Sequence, residues 1–269
     1  MEDEQMSFWD HLDVLRGSII RVLVASVVMG IGAFCLKEWL FDIVLWPQQS
    51  DFPTYRLLGA DEFELQLVNT QLTEQFFIHM KVALLAGLFV ASPYVIYVLF
   101  RFISPALYDN ERRVSVRLVG SAYLMFVVGV LANYFLIFPL TIRFLGTYSV
   151  SSTVQTLLTL SSYVDTFLIM SLVFGIVFEI PVIAWLLAQF GFLKAEWMKQ
   201  FRKQAFVVIL IVAAIITPTG DAITLFVVSL PIWMLYEISI LVVAAVNKRK
   251  ALTATDGEDE VEEAQEVED

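Results

Sequence analysis

An acid inside a long apolar run is the first residue to question, because its burial must be offset by something. Glu179, in FGIVFEIPV (Phe174 to Val182), is the thirteenth of the 26 residues from Phe167 to Phe192 and so lies near the middle of that run. A charge at the centre of a membrane helix costs roughly 2.5–3.5 kcal/mol on insertion scales, so the functional reading is a carboxylate facing a protein-lined or watered cavity. The bland alternative is a protonated Glu hydrogen-bonded to a neighbouring helix. Pro181, two residues on, has no N–H to donate; it should bend the helix and free carbonyls, which helps to form such a cavity. A second deep acid, Glu237 in LPIWMLYEIS (Leu230 to Ser239), lies nearer a basic boundary and fits a satisfied structural role equally well.

Two further acidic elements point to recognition. In SFWDHLDVLR (Ser7 to Arg16), Phe8, Trp9, Leu12, Leu15 and Ile19 recur at helical spacing. The segment is therefore expected to lie along the membrane interface, with Asp10 and Asp13, three apart, sharing its watery face. In FISPALYDNERR (Phe102 to Arg113), Arg112, Arg113 and Asp109 read as a solvated loop that sets topology, while Glu111 is a candidate to converge with the N-terminal acids. Paired carboxylate sites suit a ligand with two adjacent guanidiniums, since each makes bidentate charge-assisted bonds that an ammonium cannot. In ITPTGD (Ile216 to Asp221), Pro218 and Gly220 make a turn and Asp221 is placed to cap the helix after it. There is no Walker A loop, HExxH, GxSxG or CxxC, and the two histidines, His11 and His79, fall on opposite sides of the expected membrane. No catalysis, cofactor, metal or nucleic acid is expected, which leaves binding and transport.

The elements that must position these residues follow from composition. With 58% hydrophobic and 17% charged residues and a mean hydropathy of +0.75, against roughly 45–50% and 25% in soluble domains, the 269-residue chain must put most of its surface into lipid. Cys35 is the single cysteine, so no intramolecular disulfide is possible. The net charge of -11 is local: residues 251–269 hold nine acids and no Lys or Arg, leaving 17 basic against 19 acidic residues in 1–250. That tail reads as a solvated, disordered extension. The acidic N-terminus does not resemble a signal peptide, so the first apolar run is expected to remain as an anchor.

Apolar runs long enough for, or approaching, the ~20 residues of a spanning helix give an all-α polytopic protein of six helices, at about 17–37, 76–101, 117–142, 163–191, 203–217 and 222–246. The fifth has only 12 uninterrupted apolar residues, Ala205 to Ile216, and is a short span or a re-entrant piece that forms a hairpin with the sixth. Thirteen of the 17 Lys and Arg fall beside helix 1, between helices 2 and 3, between 4 and 5, and after 6; Lys37, Arg56, Lys81 and Arg143 fall on the other side. The positive-inside rule then makes both termini cytoplasmic.

HLDVLR (His11 to Arg16), Pro47, ASP (Ala91 to Pro93), FISPALYDNERR, FP (Phe138, Pro139), FEIP (Phe178 to Pro181), TPTGD (Thr217 to Asp221) and LPIWMLYEIS, in that order, resemble the TatC family, the multi-spanning receptor subunit of the twin-arginine protein translocase. The resemblance covers about residues 6–250. It implies a concave, cup-like bundle in a bacterial inner membrane that receives twin-arginine signal peptides of folded proteins at its cytoplasmic face. It further implies TatA-like and TatB-like single-span partners, self-association, and export driven by the proton-motive force. On the family's pattern Glu111 belongs to signal-peptide binding together with Arg16 of the N-terminal motif, with Asp10 or Asp13 as the accompanying acid; Glu179 and Pro181 belong to the intramembrane concave face; Pro47, Pro105, Asp221 and Glu237 to assembly and structure. The family's HLxELR glutamate falls here on Val14, with Asp13 one place earlier, about 100° away around a helix. From the residues alone, the competing reading is a small-ion or proton-coupled secondary transporter using Glu179 as its carrier group.

Overall fold

The computed structural model describes residues 8–59, 65–103, 112–147, 157–217 and 221–268, with side chains for 12–59, 65–102, 118–147, 157–217 and 221–252. Five helices are long and apolar enough to cross a membrane: Leu12–Phe34, Glu74–Phe102, Leu118–Thr147, Leu160–Gln189 and Ala222–Leu252. The chain is a multi-pass membrane protein, and it divides into two compact units, Met1–Gly175 and Ile176–Asp269.

In the first unit, helix α1 (Phe8–Phe34) is followed by α2 (Lys37–Leu45), a 3-10 turn (Trp46–Gln48), α3 (Pro53–Leu57) and strand β1 (Leu67–Val68). Then come α4 (Glu74–Ile103), α5 (Arg112–Ala132), a π-turn (Asn133–Ile137), α6 (Phe138–Thr147), strand β2 (Leu158–Thr159) and α7 (Leu160–Val177). The two strands pair in parallel, Leu67 opposite Leu158 and Val68 opposite Thr159. α1 is one uninterrupted helix from Phe8. The stretch expected along the interface is thus continuous with the spanning helix, because nothing between Asp10 and Gly17 breaks it.

α1 and α4 pack through small residues, which let backbones approach closely where the hydrophobic effect does not drive association. A Cβ on Gly87 would stand 2.3 Å from the backbone nitrogen of Gly30 and 2.6 Å from the carbonyl oxygen of Ser26. Prolines inside spans are accommodated by neighbours. Pro93 cannot donate to the Phe89 carbonyl, and the Ser92 hydroxyl does so instead at 2.6 Å. Pro139 likewise leaves the Phe135 carbonyl without its helical donor, and the Thr54 hydroxyl of α3 takes its place. Deeper in the unit the Asn133 amide donates to the Ser171 hydroxyl at 2.9 Å, joining the π-turn to α7.

The second unit begins in the last turn of α7 and contains α8 (Ile180–Gln189), α9 (Ala195–Gln200), α10 (Arg202–Ile216) and α11 (Ala222–Glu268). Ala184, Ala188, Ala195, Met198, Ile240, Val243 and Val246 form its buried core. The Lys250 ammonium reaches the Ala188 carbonyl at 3.2 Å, which also accepts from the Gly191 N–H, and the Gln189 carbonyl, adding a cationic donor at the end of α8. α10, at 15 residues, is about 22 Å long. α11 does not stop near residue 246: it continues to Glu268, so the acidic stretch expected to be disordered is helical. Ala, Glu and Gln are good helix formers, no proline follows Pro231, and a preformed helix is extended without a new nucleation cost.

Candidate functional site

The chain's clearest chemical anomaly is at Glu179. The apolar run breaks between α7 and α8, where Phe178 and Glu179 form a turn. The Glu179 N–H donates to the Ile176 carbonyl at 3.0 Å, and its own carbonyl accepts from the Ile183 N–H at 2.9 Å. Pro181 stands at the second position of α8, where a missing N–H costs nothing because early helical N–H groups have no intrahelical acceptor. The expected bend is therefore a break two residues before the proline. Both Glu179 carboxylate oxygens are buried and make no hydrogen bond among the described residues. A buried acid without a donor is costly, and the described residues supply Glu179 with none.

The other deep acid has the opposite character. Glu237 accepts from the Arg202 guanidinium at 2.7 Å, with side-chain exposures of 34% and 45%, and the neighbouring Tyr236 hydroxyl donates to the Met198 carbonyl at 2.8 Å. It ties α11 to the start of α10. Asp221 caps α11, its Oδ1 accepting from the Thr224 N–H at 2.8 Å. Pro47 is buried in the 3-10 turn. The Tyr55 hydroxyl lies 2.8 Å from the Pro47 carbonyl and 3.0 Å from that of Pro139, and burial pushes the Tyr55 phenol well above its usual range. Asp13 and Arg16 are exposed on α1. Asp10 lies on the same helix, though its side chain, Glu111 and Pro105 are outside the described residues.

Sequence reasoning missed a polar brace at the end of the first unit where α1 stops and α4 starts. Glu74, 7% exposed, accepts through one oxygen from the N–H groups of Thr70 (2.9 Å) and Gln71 (3.1 Å) and the Thr70 hydroxyl (3.3 Å), and through the other from the Ser161 N–H (3.1 Å). Lys81 and Asp165 pair at 2.8 Å beside it. The Tyr134 and Tyr163 hydroxyls donate to the Ile43 and Val44 carbonyls at 2.8 and 2.9 Å, fastening α2. A signal was present: Glu74 three residues after Gln71, at the head of an apolar run, is the returning half of a capping box. Among the described residues, no group of three or more His, Cys, Asp or Glu could hold a metal ion.

A family model described as Sec-independent protein translocase protein (TatC) matches residues 10–231. The Sec-independent protein translocase protein TatC of Koribacter versatilis is 37% identical, the match covering 94% of this chain and 92% of the relative. The protein of the same name from a Blattabacterium of Periplaneta americana is 33% identical, covering 93% and 99%. A crystal structure described as the twin arginine translocase receptor TatC superposes with a TM-score of 0.75 at 32% identity, covering 88% of this chain and 99% of that one. With a family model over most of its length, relatives matched nearly end to end and the fold reproduced, this chain belongs to the TatC family of Sec-independent protein translocase proteins.

Proposed function

We propose that the chain is the receptor core of a twin-arginine translocase in a bacterial inner membrane. It binds twin-arginine signal peptides at its cytoplasmic face and supports proton-motive-force-driven export of folded proteins. The observation that carries this reading is the likeness, at 32% identity over 88% of the chain, to a structure described as the twin arginine translocase receptor. Glu111, with Asp10 or Asp13 of α1, receives the guanidinium pair, because bidentate carboxylate contacts separate arginine from lysine at equal charge; Arg16 of the same helix, a cation, flanks these acids and takes no guanidinium itself. The apolar part of the signal then enters beside Glu179, whose unpartnered carboxylate gains a donor only when a partner or substrate arrives. Both termini are cytoplasmic, a reading supported by the distribution of Lys and Arg. α10 is the sixth span, shorter than the ~30 Å hydrocarbon core, so the bilayer thins around it or the helix's ends are covered by partners. Those partners are TatA-like and TatB-like single-span proteins and further copies of this chain, with Pro47, Pro105 and Asp221 supporting assembly.

The test is photo-crosslinking from position 111, in membranes, to a signal peptide carrying Arg-Arg or Lys-Lys. A strong adduct with Arg-Arg alone is expected. Equal adducts, from protein shown to be folded and inserted, would overturn the recognition role of Glu111.

A further inference from the structure

At the end of the first unit where α1 stops and α4 starts, a half-open hollow of about 400 Å³ is lined by Lys37, Phe41, Gln75, Phe76, His79 and Leu160. Its depth is fixed by the chain: Phe34 closes one candidate span and Glu74 opens the next, so the hollow sits at the boundary between hydrocarbon and headgroups. Lys37 and Phe41, four apart on α2, share one face. Glu38 and Asp42, each one residue further on, turn about 100° from it. Lys37 makes no ion pair or hydrogen bond among the described residues, whereas Lys81 nearby is neutralised by Asp165 and the Glu74 carboxylate is filled with donors. Lys37, without a direct partner among the described residues, is therefore the lysine or arginine side chain in the hollow's lining.

His79 adds direction. Its ring is 8% exposed, stacks on Phe34 with centroids 3.9 Å apart, and has Nε2 3.1 Å from the Phe34 carbonyl oxygen. That oxygen can only accept, so Nε2 carries a proton, and in the Nε2–H tautomer Nδ1 is an acceptor. Nδ1 makes no hydrogen bond among the described residues. A cation, an amide (Gln75) and an unused imidazole acceptor thus adjoin three apolar side chains.

We propose that this hollow binds the headgroup of an anionic phospholipid bearing free hydroxyls, of the phosphatidylglycerol type. The phosphate meets the Lys37 ammonium, a glycerol hydroxyl donates to Nδ1 of His79, and the glycerol backbone and first methylenes rest on Phe41, Phe76 and Leu160. Lysine at the interface suits this role, since its stem packs on apolar surface while the ammonium stays at headgroup depth.

The experiment measures lipid retention by native mass spectrometry, and the melting temperature, of the full-length protein in neutral detergent. The additions are phosphatidylglycerol, phosphatidic acid, phosphatidylcholine or inorganic phosphate. Phosphatidylglycerol is expected to be retained and to raise the melting temperature above that given by phosphatidylcholine, with phosphatidic acid weaker and inorganic phosphate without effect. Lys37→Gln, an exposed change, should weaken retention about fivefold; Lys37→Arg should restore it, and Lys199→Gln, an exposed cation in the other unit, should leave it unchanged. Equal retention of phosphatidylcholine, or an undiminished effect in Lys37→Gln, would overturn the site. A loss in Lys199→Gln as large as in Lys37→Gln would reduce it to general charge attraction, protection by inorganic phosphate would make the ligand a soluble anion, and phosphatidic acid binding as well as phosphatidylglycerol would remove the hydroxyl contact.

Discussion

Glu74 and Glu179 both stand where a helix begins, and both are largely withdrawn from solvent, yet they are treated in opposite ways. Glu74 collects three backbone N–H groups and a hydroxyl from two separate chain segments. Glu179 collects nothing among the described residues. The first is the hub of a brace that also includes the Lys81–Asp165 pair and the tyrosine bonds to α2; the second sits on a break in an otherwise continuous apolar run. A satisfied buried acid holds structure together, whereas an unsatisfied one lowers stability and persists for another reason. On the proposed function, the contrast leads to the expectation that stability rests on the braced region and interaction on the broken one.

The strongest way to break the comparison is through the seam on which the braced region depends. Gly87→Leu puts a side chain where backbone atoms of Gly30 and Ser26 already lie within 2.6 Å, and backbone cannot move aside as a flexible side chain can. Loss of folded protein, read as yield of monodisperse material after extraction, is expected. Gly120→Ala, with nothing within 4 Å of the new methyl group, should be neutral or slightly stabilising, since Ala is the better helix former by about 1 kcal/mol. A well-folded Gly87→Leu protein would mean that α1 and α4 are less tightly joined than this geometry requires.

The glutamates themselves come next. Glu74→Gln removes the negative charge and turns an amide NH₂ toward N–H donors, so the melting temperature should fall clearly while export per folded molecule is kept. Glu179→Gln should leave the melting temperature unchanged or raise it, because an unpaired buried acid is removed, and should lower export of a twin-arginine precursor at least tenfold, the loss of about one charge-assisted hydrogen bond. Exchange of the two outcomes would reverse the assignment.

Hydropathy made the long helices and the anomaly of Glu179 legible, because a charge in an apolar run stands out in one dimension. The breaking effect of Pro181 and the cap at Asp221 were legible for the same reason: both act within a few residues of their own position. The brace was not, since Glu74 and Ser161 are 87 residues apart and Tyr163 and Val44 are 119 apart; no local pattern encodes such pairings. Nor was the continuation of α11 legible. Its acid content reads as disorder, while its backbone follows the helix formers Ala, Glu and Gln and the helix already in place. Glu237 was ambiguous from sequence because its partner, Arg202, lies 35 residues away on another helix.

That pair gives the smallest effect and the finest test of the contrast. Glu237 is neither a hub nor an orphan: one guanidinium contact at 2.7 Å, both partners more than a third or close to a third exposed. Arg202 opens α10 at the basic boundary, and an exposed pair there is expected to contribute about 0–1 kcal/mol. Glu237→Gln, Arg202→Gln and the double variant should therefore give a coupling energy below about 1 kcal/mol, and raising the salt from about 0.05 to 0.5 M should shrink it further as the screening length falls. Export should be nearly unchanged in all three. A coupling well above that range that resists salt would move Glu237 into the class of Glu74, as part of a second brace joining α10 to α11. A small coupling with strongly impaired export in Glu237→Gln alone would move it into the class of Glu179, and the Arg202 contact would then be the resting partner of an acid with a second ligand.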